Sequence, residues 1–184
     1  MEECSLELSR IEVVLLTVVA DKPSYAYEID QFITCSQMRR WVRIGSASVY
    51  TGLERLAKKG YAVAKEEREG KMPTRYRYSI TEEGKAALEQ SVRTLLSVDE
   101  DHFLDLNLGI FCSSCLPRQG IAAHLAERVE AIGERIGNLK GFLRQAEARP
   151  EPEWREAAIL ETLLQFAKSE KKLLERTIAQ LTTR

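Results

Sequence analysis

The sequence predicts a mostly α-helical fold with a small β-hairpin, split between a module at residues 1–96 and an antiparallel helical pair at residues 97–184. Three observations lead there. The first half holds three short apolar helical segments followed by two alternating runs. The second half repeats apolar residues at heptad-like spacing in two long stretches. One segment of an otherwise balanced chain is strongly basic.

The balance itself is close: 27 Lys and Arg stand against 28 Asp and Glu among 184 residues, of which 44% are hydrophobic. Such a composition excludes a disordered tail. The longest strongly apolar run, Val13 to Ala20, is too short for a membrane span, which needs about 20 residues. Glu2, Glu3 and Glu7 precede the first basic residue, Arg10, which argues against a secretory leader and for a cytoplasmic protein. Between Arg39 and Arg77, however, eleven basic residues face four acids, a local net charge of +7. A polyanion responds to that local field, not to the global sum.

Taken in order, Ser9-Arg10-Ile11-Glu12 has capping-box form and opens a first helix through Ala20. Asp21-Lys22-Pro23 breaks it, and Ser24 is the expected N-cap of a second helix through Tyr27, Ile29 and Ile33. A third starts near Ser46, with Val49, Leu53 and Leu56 forming its apolar stripe and Gly60 closing it. The period then shortens to two. Tyr61 to Lys65 and Arg75 to Ile80 are strands joined by a turn at Gly70-Lys71-Met72-Pro73. Alternation puts Tyr76, Tyr78 and Ile80 on one face, Arg75 and Arg77 on the other. Thr81 caps a fourth helix through Leu96.

Residues 97–117 are mixed, with the acidic cluster Asp99-Glu100-Asp101 and a stop at Pro117. Leu125, Val129, Ile132, Ile136, Leu139 and Leu143 then repeat at intervals of four and three. Arg149-Pro150-Glu151-Pro152-Glu153 separates them from a last helix starting near Trp154, whose apolar face includes Leu160, Leu164, Phe166, Leu173 and Leu174. So wide a face exceeds what one neighbouring helix covers and predicts a second copy as partner. Dimerisation is therefore expected through Leu125, Val129, Ile132, Ile136, Leu139, Leu160, Leu164, Phe166 and Leu174.

Helix, helix, helix, strand, strand is the order of a winged helix-turn-helix, whose third helix enters a DNA major groove. The basic window covers that helix, its approach and the hairpin. Residues pointing away from the apolar stripe are the candidate base contacts: Ser46, Ser48 and Thr51, with Arg55 a turn further on and Tyr50 between packing and phosphate. Arg39 and Arg43 are placed to clamp phosphates, with Trp41 between them as an expected core anchor. Lys71, Thr74 and Arg75 lie near the wing turn.

Several stretches resemble one family, the PadR-like transcriptional regulators with a two-helix C-terminal domain. Ser24-Tyr25-Ala26-Tyr27-Glu28-Ile29 is similar to the Gly-Tyr-Glu stretch of their second helix, with Ala26 in place of Gly. Ala47-Ser48-Val49-Tyr50-Thr51-Gly52-Leu53-Glu54-Arg55-Leu56 resembles their recognition helix, again with Ala47 for Gly. Lys59-Gly60-Tyr61 and the run from Gly70 to Gly84 resemble their wing. The resemblance implies a homodimeric repressor on a pseudo-palindromic double-stranded DNA operator, released by a small hydrophobic or aromatic effector. Trp154 and Phe166 lie in an aromatic-rich region that suits such an effector.

Other chemistry finds thin support. Cys112-Ser-Ser-Cys115 is a single CxxC, half a zinc site, and its expected state is a buried pair of small apolar residues. With two His, no Gly-rich phosphate loop and no paired metal motif, neither an enzyme nor a cofactor or metal is expected. The competing readings are a winged-helix protein–protein interaction module and a thiol- or metal-responsive sensor on the same scaffold.

Overall fold

A computed structural model describes residues 7–36, 38–68, 74–98, 105–149 and 153–183. The wing turn at residues 69–73, the acidic cluster at 99–101 and Pro150 to Pro152 lie outside them. The chain forms two compact units, residues 1–101 and 102–184.

In the first unit, helix α1 (Arg10–Asp21) opens on the expected capping box. The Glu12 amide donates to Ser9 Oγ at 3.3 Å, and the Ser9 amide donates to Glu12 Oε2 at 2.8 Å. Leu15, Leu16 and Val19 on α1 are fully or almost fully buried. Helix α2 (Ala26–Cys35) departs from expectation at its start. Its N-cap is Tyr25, whose amide donates to Glu28 Oε2 at 2.9 Å. Ser24 is buried instead in a two-residue strand, β1 (Ser24–Tyr25), with its hydroxyl donating to the Lys22 carbonyl. Ala26 packs partly buried against the core, and the helix forms without the Gly.

A 3-10 turn, Met38–Arg40, leads to helix α3 (Ser46–Lys58). Trp41, expected as an anchor, is 43% exposed; Ile44 is buried there, with Met38 and Val42 packed beside it. Strands β2 (Ala62–Glu67) and β3 (Arg75–Ile80) pair antiparallel, and β3 also pairs with β1, giving the order β1-β3-β2. The hairpin is thus part of a three-stranded sheet. Gly60 adopts φ +78°, a left-handed conformation that favours glycine at the end of α3.

Thr81 caps helix α4 (Glu82–Ser97), accepting from the Gly84 amide at 2.9 Å and donating to the Gly60 carbonyl at 2.8 Å. Gly84 is buried under the Tyr61 backbone, where a Cβ would lie 2.1 Å from the Tyr61 oxygen. The side chains of α1, α2 and α3, with Ala62, Tyr78 and Ala87, form one core that fixes α3 and the hairpin on a common frame.

The second unit comprises helix α5 (Asp105–Phe111), a 3-10 turn (Ser113–Cys115), and helices α6 (Arg118–Glu147) and α7 (Trp154–Thr182). Pro117, the N-cap of α6, starts the long helix. The heptad-like spacing pairs the two long helices of the chain, the antiparallel pair expected from the sequence. Leu125, Ile132 and Leu139 pack with Leu160, Leu164 and Leu174 of the same chain, and Val129 and Ile136 lie partly buried beside them. The seam therefore holds one antiparallel hairpin together. Glu170 accepts from Arg128 and Arg135 at 2.6 and 2.9 Å across it. Burial would raise the Glu170 pKa, but these two guanidiniums hold it below the ordinary carboxylate value. Of the residues assigned to dimerisation, Phe166 stays open, 61% exposed, with Leu173 also exposed on α7. No helix of the described residues is long and apolar enough to cross a membrane.

Candidate nucleic-acid interface

Helix α3 is seated by Val49, Leu53 and Leu56, each fully buried. At 100° per residue this stripe forces Ala47, Thr51, Arg55 and Lys58 outward, and all four are exposed. Ser46 is exposed and Ser48 half-buried, so the first turn presents short polar side chains. The Thr51 hydroxyl donates to the Ala47 carbonyl at 3.1 Å, and its oxygen keeps the capacity to accept a hydrogen bond. Tyr50 is 47% exposed at the margin of the core face.

The basic side chains around α3 differ in how strongly they are engaged. Arg39 pairs with Asp30 at 2.5 Å and donates to Ser46 Oγ at 3.1 Å, tying the approach segment to the start of α3. Arg43 is exposed and forms no ion pair among the described residues. At the other end, Lys59 Nζ lies 3.0 Å from Glu12 Oε1, and Arg55 Nε lies 4.0 Å from the same oxygen. Glu12 is buried on α1, and burial alone would raise its pKa. The Ser9 amide and the Lys59 ammonium outweigh that and hold it below the usual carboxylate value. Glu12 therefore fastens the C-terminal end of α3 to α1, as Asp30 and Arg39 fasten its approach.

The wing has a buttress of its own. Tyr25 donates to Glu67 Oε2 at 2.5 Å and accepts from Arg77 Nη2 at 2.8 Å, while Arg77 Nε lies 3.3 Å from Glu67 Oε1. The Arg77 guanidinium also lies over the Tyr25 ring at 4.5 Å, and the Tyr25 and Tyr27 rings stack at 5.6 Å. The Tyr25 hydroxyl and the Arg77 charge hold Glu67 below its ordinary pKa. Arg75 sits 6.0 Å over the Tyr27 ring on the exposed side of β3, next to exposed Thr74. This cluster links β1 to both wing strands, and only Arg75 in it was a candidate from sequence. The signal that could have revealed it is Glu28, three residues after Tyr25 and thus a capping partner for Tyr25 and not for Ser24.

The structure thus brings Arg39, Arg43, Ser46, Ser48, Tyr50, Thr51 and Arg55 into one region around α3, with Thr74 and Arg75 on the wing of the same unit. Lys71 lies outside the described residues. Cys112 and Cys115, expected to be buried, are both exposed, as is Cys35. No cluster suited to a metal ion occurs among the described residues.

Comparison with known proteins fits this geometry. Residues 15–90 match the model of the transcriptional regulator PadR-like family. No curated protein matches the chain by sequence. Among solved structures, Bacillus subtilis PadR in complex with operator DNA is similar with a TM-score of 0.77 at 16% identity, covering 94% of this chain and 99% of that one. The same protein in complex with p-coumaric acid gives 0.72 at 17% identity, with the same coverage. The Vibrio cholerae virulence activator AphA gives 0.69 at 18% identity, covering 94% and 98%. Residues 15–90 are thus similar to the transcriptional regulator PadR-like family by sequence, and nearly the whole chain shares the fold of these solved structures.

Proposed function

We propose that this protein is a homodimeric, cytoplasmic DNA-binding repressor, in which residues 1–96 bind DNA and residues 97–184 dimerise. Helix α3 enters the major groove with Ser46, Ser48 and Thr51 at base edges, and Arg55 further along the groove. Arg39, Arg43 and Tyr50 contact phosphates beside it, and Lys71, Thr74 and Arg75 contact the backbone from the wing. Short hydroxyls carry little base information, so DNA shape supplies much of the specificity. Two copies joined through α7 around Phe166 present two recognition helices to half-sites about one helical turn apart.

The observation that carries the proposal is the outward face of α3. Its apolar stripe is consumed in the core, its polar first turn is open, and cations flank it on both sides. Bacillus subtilis PadR, of similar fold, has been seen with operator DNA and with p-coumaric acid. A small hydrophobic or aromatic effector that releases this protein from DNA follows by analogy, with Trp154 and Phe166 as its candidate contacts. Fluorescence anisotropy with DNA upstream of its own gene, across a salt series, tests the reading. Sequence-specific binding that falls steeply with salt supports it. No binding at low salt overturns it in favour of a protein–protein interaction module.

A further inference from the structure

Cysteine is among the most buried residue types, yet Cys112 and Cys115 both stand exposed where α5 gives way to α6. The segment between them is the 3-10 turn Ser113–Cys115, held by the Cys112 amide donating to the Leu108 carbonyl and the Leu116 amide donating to the Ser113 carbonyl, each at 2.9 Å. A 3-10 helix completes one turn in three residues, so positions i and i+3 eclipse. At about 2.0 Å rise per residue their Cα atoms lie about 6 Å apart. That separation falls within the roughly 4.4–6.8 Å that disulfides span. The Cys115 Sγ donates to the Cys112 carbonyl oxygen at 3.4 Å, so the thiol folds back over the turn that begins at Cys112.

We infer that Cys112 and Cys115 form a redox-modification site, a dithiol that hydrogen peroxide converts to an intramolecular disulfide. The thiolate of one cysteine attacks a peroxide oxygen. The O–O bond breaks, and sulfenic acid and hydroxide result. The second thiolate attacks the sulfenic sulfur, the S–O bond breaks, and the S–S bond forms with loss of a second hydroxide. The two thiol protons and the two hydroxides leave as two waters. The cysteine pair loses two electrons and the peroxide gains them. Closure needs no movement of the long helices, because both sulfurs belong to one turn. A thiol reductant reverses it by exchange through a mixed disulfide.

Mass spectrometry of the full-length protein treated with hydrogen peroxide and digested with trypsin tests this. Both cysteines fall on the single peptide 94–118, whereas Cys4 and Cys35 fall on others. The expected result is loss of the mass of two hydrogens from that peptide, one disulfide per chain, restored by dithiothreitol. In Cys112→Ser the same treatment should stop at a sulfenic acid on Cys115, trapped by dimedone at several times the wild-type yield. Equal dimedone labelling in wild type and variant would show that the sulfurs do not meet. A disulfide linking the peptides of two chains, or linking this peptide to Cys35, would likewise overturn the assignment.

Discussion

Replacing Glu12 by Gln isolates the bond that fastens the C-terminal end of α3 to α1. The new side chain retains one oxygen for the Ser9 amide, 2.8 Å away in the wild type. It turns an NH2 group toward Lys59 or loses its bond to the Ser9 amide, and in either case it removes the negative charge 3.0 Å from Nζ. A hydrogen bond to a charged group contributes about 1.5–3 kcal/mol. Lys59 is partly exposed and recovers some solvation by turning to water, so the expected loss is about 1–2 kcal/mol. For a domain of this size that corresponds to a Tm lower by roughly 5–15 °C. The pH dependence is the sharper test. The folded Glu12 pKa lies below its ordinary value. Its stabilisation is therefore fully present above the unfolded carboxylate pKa and disappears as pH falls through the folded pKa. Urea unfolding followed by Trp41 fluorescence in a Trp154→Phe background reads the first unit alone. Wild type should exceed the variant at pH 7, and the gap should close in acid. A gap that stays constant down to pH 3, or none at neutral pH, would refute the role assigned to Glu12.

Gly84→Ala drives a methyl into the Tyr61 carbonyl, a backbone atom that cannot rotate away, so it should cost about 3 kcal/mol in the same urea assay. A loss under about 1 kcal/mol would mean that α4 can lift from the sheet. Arg43→Ala should reduce the slope of log affinity against log salt by about one per protomer. Arg39→Ala should reduce it less, because Arg39 is engaged by Asp30; equal slopes for the two would contradict that ranking. Phe166→Glu should weaken self-association at least about tenfold in sedimentation equilibrium, while Leu164→Ala should destabilise the hairpin of each chain. A Phe166→Glu protein that dimerises like wild type would move the interface off this face of α7.

Elements governed by local rules were legible in the sequence. The Ser9–Glu12 box, the Val49-Leu53-Leu56 stripe, Gly60 and Thr81 each follow from a few neighbouring residues, and each sits as expected. What escaped depends on partners far along the chain. Ser24 has the chemistry of a good N-cap, but pairing with Tyr78 draws it into the sheet and passes the cap to Tyr25. Trp41 looked like an anchor by composition, whereas the chain buries Ile44 and leaves the indole half open. Leu125, Ile132 and Leu139 form the expected helix pair, but periodicity alone does not say which apolar residues of that pair are left for a second copy. The cysteines were misjudged for a similar reason. Burial follows from the turn that carries them, not from the residue type.

Charge illustrates the same division between local pattern and tertiary contact. The +7 between Arg39 and Arg77 was countable in the sequence. Two acids from outside that window reach into it, however: Asp30 takes Arg39, and Glu12 takes Lys59 and Arg55. Including them lowers the local net charge to +5. Within the window Glu67 takes Arg77, so that cation braces the wing and is not left to face a polyanion. These pairs convert part of the basic charge into positional rigidity, fixing both ends of α3 and the base of the wing. The field that remains comes from fewer cations, among them exposed Arg43 and Lys58, on the frame that carries α3 and the wing strands. A protein built this way gives up indiscriminate attraction in exchange for a fixed spacing between recognition helix and wing. If the chain binds DNA as proposed, that spacing, more than the net charge, is what a particular DNA shape would match.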